Sequence, residues 1–151
     1  MEEKLEEKYD LQDALAIATF LNSLIRNAHI VKMANIAQTI NVLQALILTE
    51  EGGDRMLLTP TYHVFEMYKV HHDATLLPLD LQCDSYQHED KSISSISASA
   101  SRSADGKVNL TLSNLNPDKG SEVTVTVRGM AAKAISARVL TAPKMDSYNS
   151  F

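Results

Sequence analysis

The chain has 151 residues, an ordinary apolar content and a formal net charge of −5 at pH 7. That length holds one domain, or one domain and a piece of another, and the charge argues against a surface built to neutralise nucleic-acid phosphates. With no Trp and 5% aromatics it lacks the ring surfaces on which a free-standing sugar-binding module stacks its ligand.

No stretch approaches the roughly 20 uninterrupted apolar residues of a membrane span. The single Cys83 cannot form an internal disulfide, and no Cys/His spacing resembles a zinc site, so neither metal nor cofactor is expected. Met1-Glu-Glu-Lys-Leu-Glu-Glu-Lys8 is charged where a signal peptide is apolar, and the compartment stays open.

Asp10 suits a helix N-cap, with Asp13 three residues on as a weak capping box. Leu11, Ala14, Leu15, Ala18, Leu21, Leu24 and Ile25 keep a helical period up to about Asn27, while Ile17 and Phe20 add a second apolar face. A helix apolar nearly all round belongs between two layers. The next stretch, residues 27–49, is almost free of charge, yet Asn35, Gln38, Asn41 and Gln44 recur in it at three-residue steps. A run this apolar should be buried, and buried amides must find partners or face a polar ligand. Residues 30–36 suit a strand, and residues 39–48 read equally as strand or helix. Glu50-Glu-Gly-Gly-Asp-Arg55 is a turn. Thr59 as N-cap and Pro60 at the first helical position then open a short helix to about Val70, with Val64, Phe65, Met67 and Tyr68 on its buried side.

From residue 74 the composition changes to short strands at 74–82, 92–102, 107–113, 122–128 and 134–141. Asp105-Gly106 signals a hairpin, and Asn116-Pro-Asp-Lys-Gly120 a loop. Val123, Val125 and Val127 alternate with Thr124 and Thr126, which sets one face inward. An antiparallel sheet packed on another layer, most simply a β-sandwich, is the expected result. The boundary between the two compositions falls near residues 71–74.

Ala28-His-Ile-Val-Lys-Met-Ala-Asn-Ile-Ala-Gln38 and Asn41-Val-Leu-Gln-Ala-Leu-Ile-Leu-Thr49 resemble the last barrel strand of glycoside hydrolase family 51, best known for α-L-arabinofuranosidases. The resemblance continues through Leu58-Thr-Pro-Thr-Tyr-His-Val-Phe-Glu-Met-Tyr-Lys-Val70, Asp73-Ala-Thr-Leu-Leu-Pro-Leu79 and Val139-Leu-Thr-Ala-Pro143. It implies an α+β portion of an enzyme: residues 1–72 as the closing helix, strand and helix of a (β/α)8 barrel, and residues 73–151 as an antiparallel, jelly-roll-like β-sandwich. It implies, too, a parent that removes terminal α-L-arabinofuranosyl groups from arabinan- and arabinoxylan-type polysaccharides with retention. That chemistry needs two carboxyl groups about 5–5.5 Å apart. In the family both are glutamates upstream of the part represented by this chain, so the chain alone is expected to be inactive and to partner the missing N-terminal part of the same protein.

The one site residue the resemblance carries over is Gln38, at the C-terminal end of the presumed eighth strand, where barrel active sites lie. Its amide both donates and accepts, which suits a sugar hydroxyl. Asn35 and Asn41 are expected to be structural. His71-His72-Asp73 reads as a polar connection rather than a metal cluster, since neighbours on an extended chain face opposite ways. His63 is expected to pack within its helix, and His29 departs from the family pattern. A homo-oligomer is expected. The alternative reading is a free-standing β-sandwich interaction module without catalysis.

Overall fold

A computed structural model describes residues 8–36, 39–131 and 135–151. Helix α1 (Leu11–Arg26) starts where the sequence places it. Asp10 Oδ1 accepts from the Asp13 amide at 3.1 Å, and Asp13 Oδ2 accepts from the Asp10 amide at 3.1 Å, so the all-aspartate capping box is closed. The two remaining donors of the first turn are taken from far along the chain. Leu11 N–H donates to Ser147 O and Gln12 N–H to Met145 O, both at 3.0 Å. The C-terminal segment therefore caps the helix, satisfying donors that would otherwise be orphaned.

The buried stripe of α1 is Leu11, Ala14, Ala18 and Asn22. Ala14 and Ala18 are short enough to let a second helix, α2 (Pro60–Tyr68), approach closely through Val64 and Tyr68. Ile17, Leu21, Ile25, Met67 and Leu140 close around that contact. Burying a residue such as Val64 contributes about 1.5–3 kcal/mol. Helix α2 begins as expected, with the Thr59 hydroxyl accepting from the Tyr62 amide and Pro60 at the first position. Its buried residues are Pro60, Thr61, Val64 and Tyr68, whereas Phe65 and Met67 are only half-buried. The second apolar face expected of α1 is uncovered at Phe20, which is 61% exposed.

Between the helices, the expected turn joins two strands that the sequence pattern leaves undivided. β1 (Ile47–Thr49) pairs antiparallel with β2 (Met56–Leu58) across residues 50–55. Gly52 sits at φ +72, a backbone region that costs a side chain about 1–2 kcal/mol, and a Glu50–Arg55 ion pair closes the loop.

Among the described residues the strand expected at 30–36 is not formed. Residues 31–36 have no regular structure, and Ile30 and Met33 are 70% and 80% exposed. A strand exists only by exchanging backbone hydrogen bonds with neighbours, and the described residues provide none beside this segment. Residues 32–36 of the apolar run expected to be buried are consequently open to solvent, whereas Ala45 further along it is fully buried.

The C-terminal half is β-rich and antiparallel, which makes the chain α+β as expected. β3 (Thr75–Leu76), β6 (Ile96–Arg102) and β7 (Val108–Asn114) form a sheet in the order β3-β6-β7, and β4 (Ser85–His88) pairs with β5 (Lys91–Ser94) as a separate hairpin. The β6–β7 turn is the predicted one, with Gly106 at φ +84 and Asp105 holding Lys107. In the Asn116 loop, its Oδ1 accepts from the amides of Asp118 and Lys119 at 3.0 and 3.2 Å.

Two expected strands are absent among the described residues. Neither 122–128 nor 135–141 is paired, and Val125 and Ile135 are 56% and 90% exposed. The valine alternation confers one apolar face, but it supplies no neighbour for the backbone. The expected strand at 92–102 is divided into β5 and β6 at Ser95, and that at 74–82 is reduced to two residues.

Candidate functional site

Gln38, the one site residue expected from sequence, lies with Ala37 outside the described residues. The chain immediately after it is tied to β1. Thr39 O accepts from the amides of Leu46 and Ile47 at 3.0 and 3.1 Å, and Ile40 bridges Ile47. Asn35 is exposed. Asn41, at φ 52, ties its loop to β1: its side chain donates to Thr49 Oγ1 at 2.7 Å and accepts from the Thr49 amide at 2.8 Å. Gln44 also takes a left-handed backbone, at φ 57.

Beside this loop runs an apolar groove of about 730 Å³, walled by Val42, Leu43, Leu48, Leu57 and the C-terminal Tyr148 and Phe151. Its polar groups are already engaged. Asn149 Nδ2 donates to Leu58 O at 2.7 Å, Lys8 Nζ stands 4.7 Å from the Tyr148 ring centre, and Arg55 stacks near Phe151. A sugar site needs several polar groups converging on one point, and this groove does not provide them.

The acids are equally plain. Glu50 is held below the ordinary carboxylate range by Arg55, and Glu66 by Arg138 and then Lys69. Asp105 is lowered by Lys107, then by Ser103. A general acid for glycoside cleavage must have its pKa raised, so none of these suits the task. No group of three metal-ligating side chains occurs among the described residues.

The histidines divide. His63 lies in α2, edge-on to Tyr62 at 5.5 Å, and His29 and His72 are exposed on turns. His71 ends a 3-10 turn (Lys69–His71) after α2 and points into the protein. Its Nδ1 lies 2.7 Å from Ser101 Oγ and its Nε2 3.1 Å from Thr111 Oγ1. Burial lowers its pKa, which keeps the ring neutral at pH 7.

His71 belongs to a buried polar layer that sequence reasoning missed. On β6, Ser97, Ser99 and Ser101 face α1, opposite Ser113, Thr111 and Asn109 of β7, while Ala98 and Ala100 take the other face. Asn22 of α1 is the hub. Its Nδ2 donates to Ser97 Oγ at 3.2 Å, and its Oδ1 accepts from Ser99 Oγ at 2.8 Å and Thr111 Oγ1 at 2.9 Å. Tyr68 adds a hydroxyl that donates to Ala18 O at 3.1 Å. A signal was available: Asn22 continues the Ala14–Ala18 stripe by one more turn, facing the Ser/Ala alternation of Ile96–Arg102. In this Ser–His contact the ring's second partner is the Thr111 hydroxyl rather than an orienting carboxylate, so it lacks the geometry of nucleophilic catalysis.

The layer is structural, and its loss should be costly. Asn22→Ala strands the buried hydroxyl of Ser97 and removes the shared acceptor of Ser99 and Thr111. An unsatisfied buried group costs about 1–3 kcal/mol, so a stability loss of about 2–3 kcal/mol is expected. Urea unfolding of the variant against the parent chain measures it.

The family described as the α-L-arabinofuranosidase C-terminal domain matches residues 1–151. The chain belongs to that family. It is 43% identical to an intracellular exo-α-L-arabinofuranosidase of Bacteroides ovatus, over 97% of this chain and 28% of that protein. A probable α-L-arabinofuranosidase C of Aspergillus niger is 29% identical over 95% of this chain and 29% of its own length. Among solved structures, the crystal structure of the GH51 arabinofuranosidase from Xanthomonas axonopodis pv. citri aligns with a TM-score of 0.86 and 40% identity, covering 99% of this chain and 31% of that one. The chain therefore spans less than a third of these relatives, and its fold is that of the matched portion.

Proposed function

We propose that this chain serves as the C-terminal portion of a longer retaining α-L-arabinofuranosidase acting on terminal α-L-arabinofuranosyl groups of arabinan- and arabinoxylan-type polysaccharides. The observation that carries the reading is the family match over residues 1–151, at 43% identity to an exo-α-L-arabinofuranosidase of which the chain covers 28%. Residues 1–72 close the catalytic barrel and residues 73–151 form the jelly-roll-like β-domain, both completed by the rest of the polypeptide. The open face at Ile30 and Met33 and the unpaired Val123 and Val125 fit elements that gain their neighbours there. The assembled enzyme is a homo-oligomer.

Within that enzyme this chain provides Gln38 as a hydrogen-bonding contact to the arabinose, and the two catalytic carboxyl groups come from elsewhere. Replacing Gln38 by Ala in the complete enzyme tests the assignment. One neutral hydrogen bond contributes about 0.5–1.5 kcal/mol, so kcat/KM should fall about 2- to 13-fold while the thermal midpoint stays within a degree or so. Unchanged activity with a large drop in midpoint would make Gln38 structural.

A further inference from the structure

The hydroxyl network fixes the protonation of His71. Ser99 Oγ, Thr111 Oγ1 and Asn22 Oδ1 form a triangle with edges of 2.8, 2.8 and 2.9 Å. The amide oxygen of Asn22 is an acceptor alone and takes both hydroxyl protons, one from Ser99 and one from Thr111. Neither proton can be spared for the imidazole. Thr111 Oγ1 must therefore accept from His71 Nε2–H, at 3.1 Å, and His71 Nδ1, its other nitrogen, accepts from Ser101 O–H, at 2.7 Å. The neutral Nε2–H tautomer satisfies every member.

A second proton on the ring would go to Nδ1, the atom that holds the Ser101 hydrogen. Ser101 would have to turn that hydrogen away, and it is only 1% exposed, out of reach of water. Among the described residues the ring's hydrogen-bond partners are two hydroxyls and no carboxylate. From α2 the facing group is the edge of Tyr68, whose phenol is kept neutral by burial. From α1 it is the neutral amide of Asn22, which shares Thr111 with the imidazole. β6 and β7 present hydroxyls and the Asn109 amide on this face, with Arg102 on the other. Within its own turn, Lys69 is exposed and paired with Glu66, and the next two residues, His72 and Asp73, are exposed to solvent.

We propose that His71 is an acid-sensitive latch between the helical pair and the sheet: protonation at Nδ1 reverses its bond with Ser101, leaves the Ser101 hydrogen without its acceptor and loosens the turn after α2 from β6 and β7. The direction comes from linkage. The folded state resists a proton that the unfolded chain accepts near 6.5, so the latch's stabilisation is complete above that pH and is lost as pH falls through the lower folded-state value.

Exchange of the imidazole C2 hydrogen, followed by mass spectrometry on the full chain, reads the titration of His71. Amide exchange of β6 and β7, corrected for its intrinsic pH dependence, reads the latch. The expected result is a His71 midpoint below 6.5, with protection of residues 96–114 dropping several-fold as pH passes through that midpoint. In His71→Gln the protection should not change over the same window. A midpoint at or above 6.5, or β6–β7 protection that stays constant while His71 titrates, would overturn the proposal, and both readouts come from the unaltered chain.

Discussion

The chain on its own will not hydrolyse an aryl α-L-arabinofuranoside. Retention requires one carboxylate to attack the sugar and a second carboxyl, about 5–5.5 Å away, to protonate the leaving group. The protonating group must keep its hydrogen near neutrality, which needs an apolar surrounding or a nearby like charge. The carboxylates with ion-pair partners are set the other way. Glu50 and Glu66 face arginines that hold them ionised, and Asp105 faces a lysine. Without nucleophile and acid the reaction loses the bulk of its acceleration, so turnover should fall roughly 10⁶-fold or more below that of a complete relative. A side-by-side assay of the purified chain and a complete family member decides it. Turnover at a comparable rate would mean that this chain carries a carboxyl pair of its own, and the proposed division of labour would fall.

What could be read from the sequence, and what could not, depends on the range of the interactions. The Asp10–Asp13 box, the Thr59–Pro60 helix start and the Asp105–Gly106 turn were legible because each is completed within a few residues. Residues 122–128 were misread for the opposite reason. Alternation reports which faces a strand would present, but pairing depends on a neighbour that local pattern does not reveal. The same holds for residues 30–36, whose apolar content predicted burial and whose surroundings leave them open. The Asn22–His71 layer was missed because alternating Ser and Ala on a strand is ordinarily read as polar residues facing water. Here the serines face the helix, and an amide and an imidazole at distant positions satisfy them. The proposed role of Gln38 rests on the family resemblance alone, since nothing in its spacing separates it from Asn35, Asn41 or Gln44.

That open segment leads to the second large effect, which is self-association of the isolated chain. Ile30, Met33, Ile40 and Leu43 lie close together in sequence and all are more than half exposed. Contiguous apolar surface beyond a few hundred Å² is normally covered by a partner. Residues 32–36 also lack a strand ladder, which leaves backbone groups to pair with a second copy, as an unprotected strand edge does. The core around Ala14, Ala18, Val64 and Tyr68 and the β6–β7 sheet do not depend on that surface. Association should therefore proceed between folded chains. Light scattering over a dilution series should show a mass at least twice that of the monomer at high concentration, falling on dilution. The double replacement Ile30→Lys with Met33→Lys adds two like charges where copies would meet, and should restore the monomer mass with little change in the urea midpoint. A parent chain that stays monomeric at the highest concentration would mean that residues 30–43 are covered from within. A lysine variant that associates as strongly as the parent would place the contact on another face.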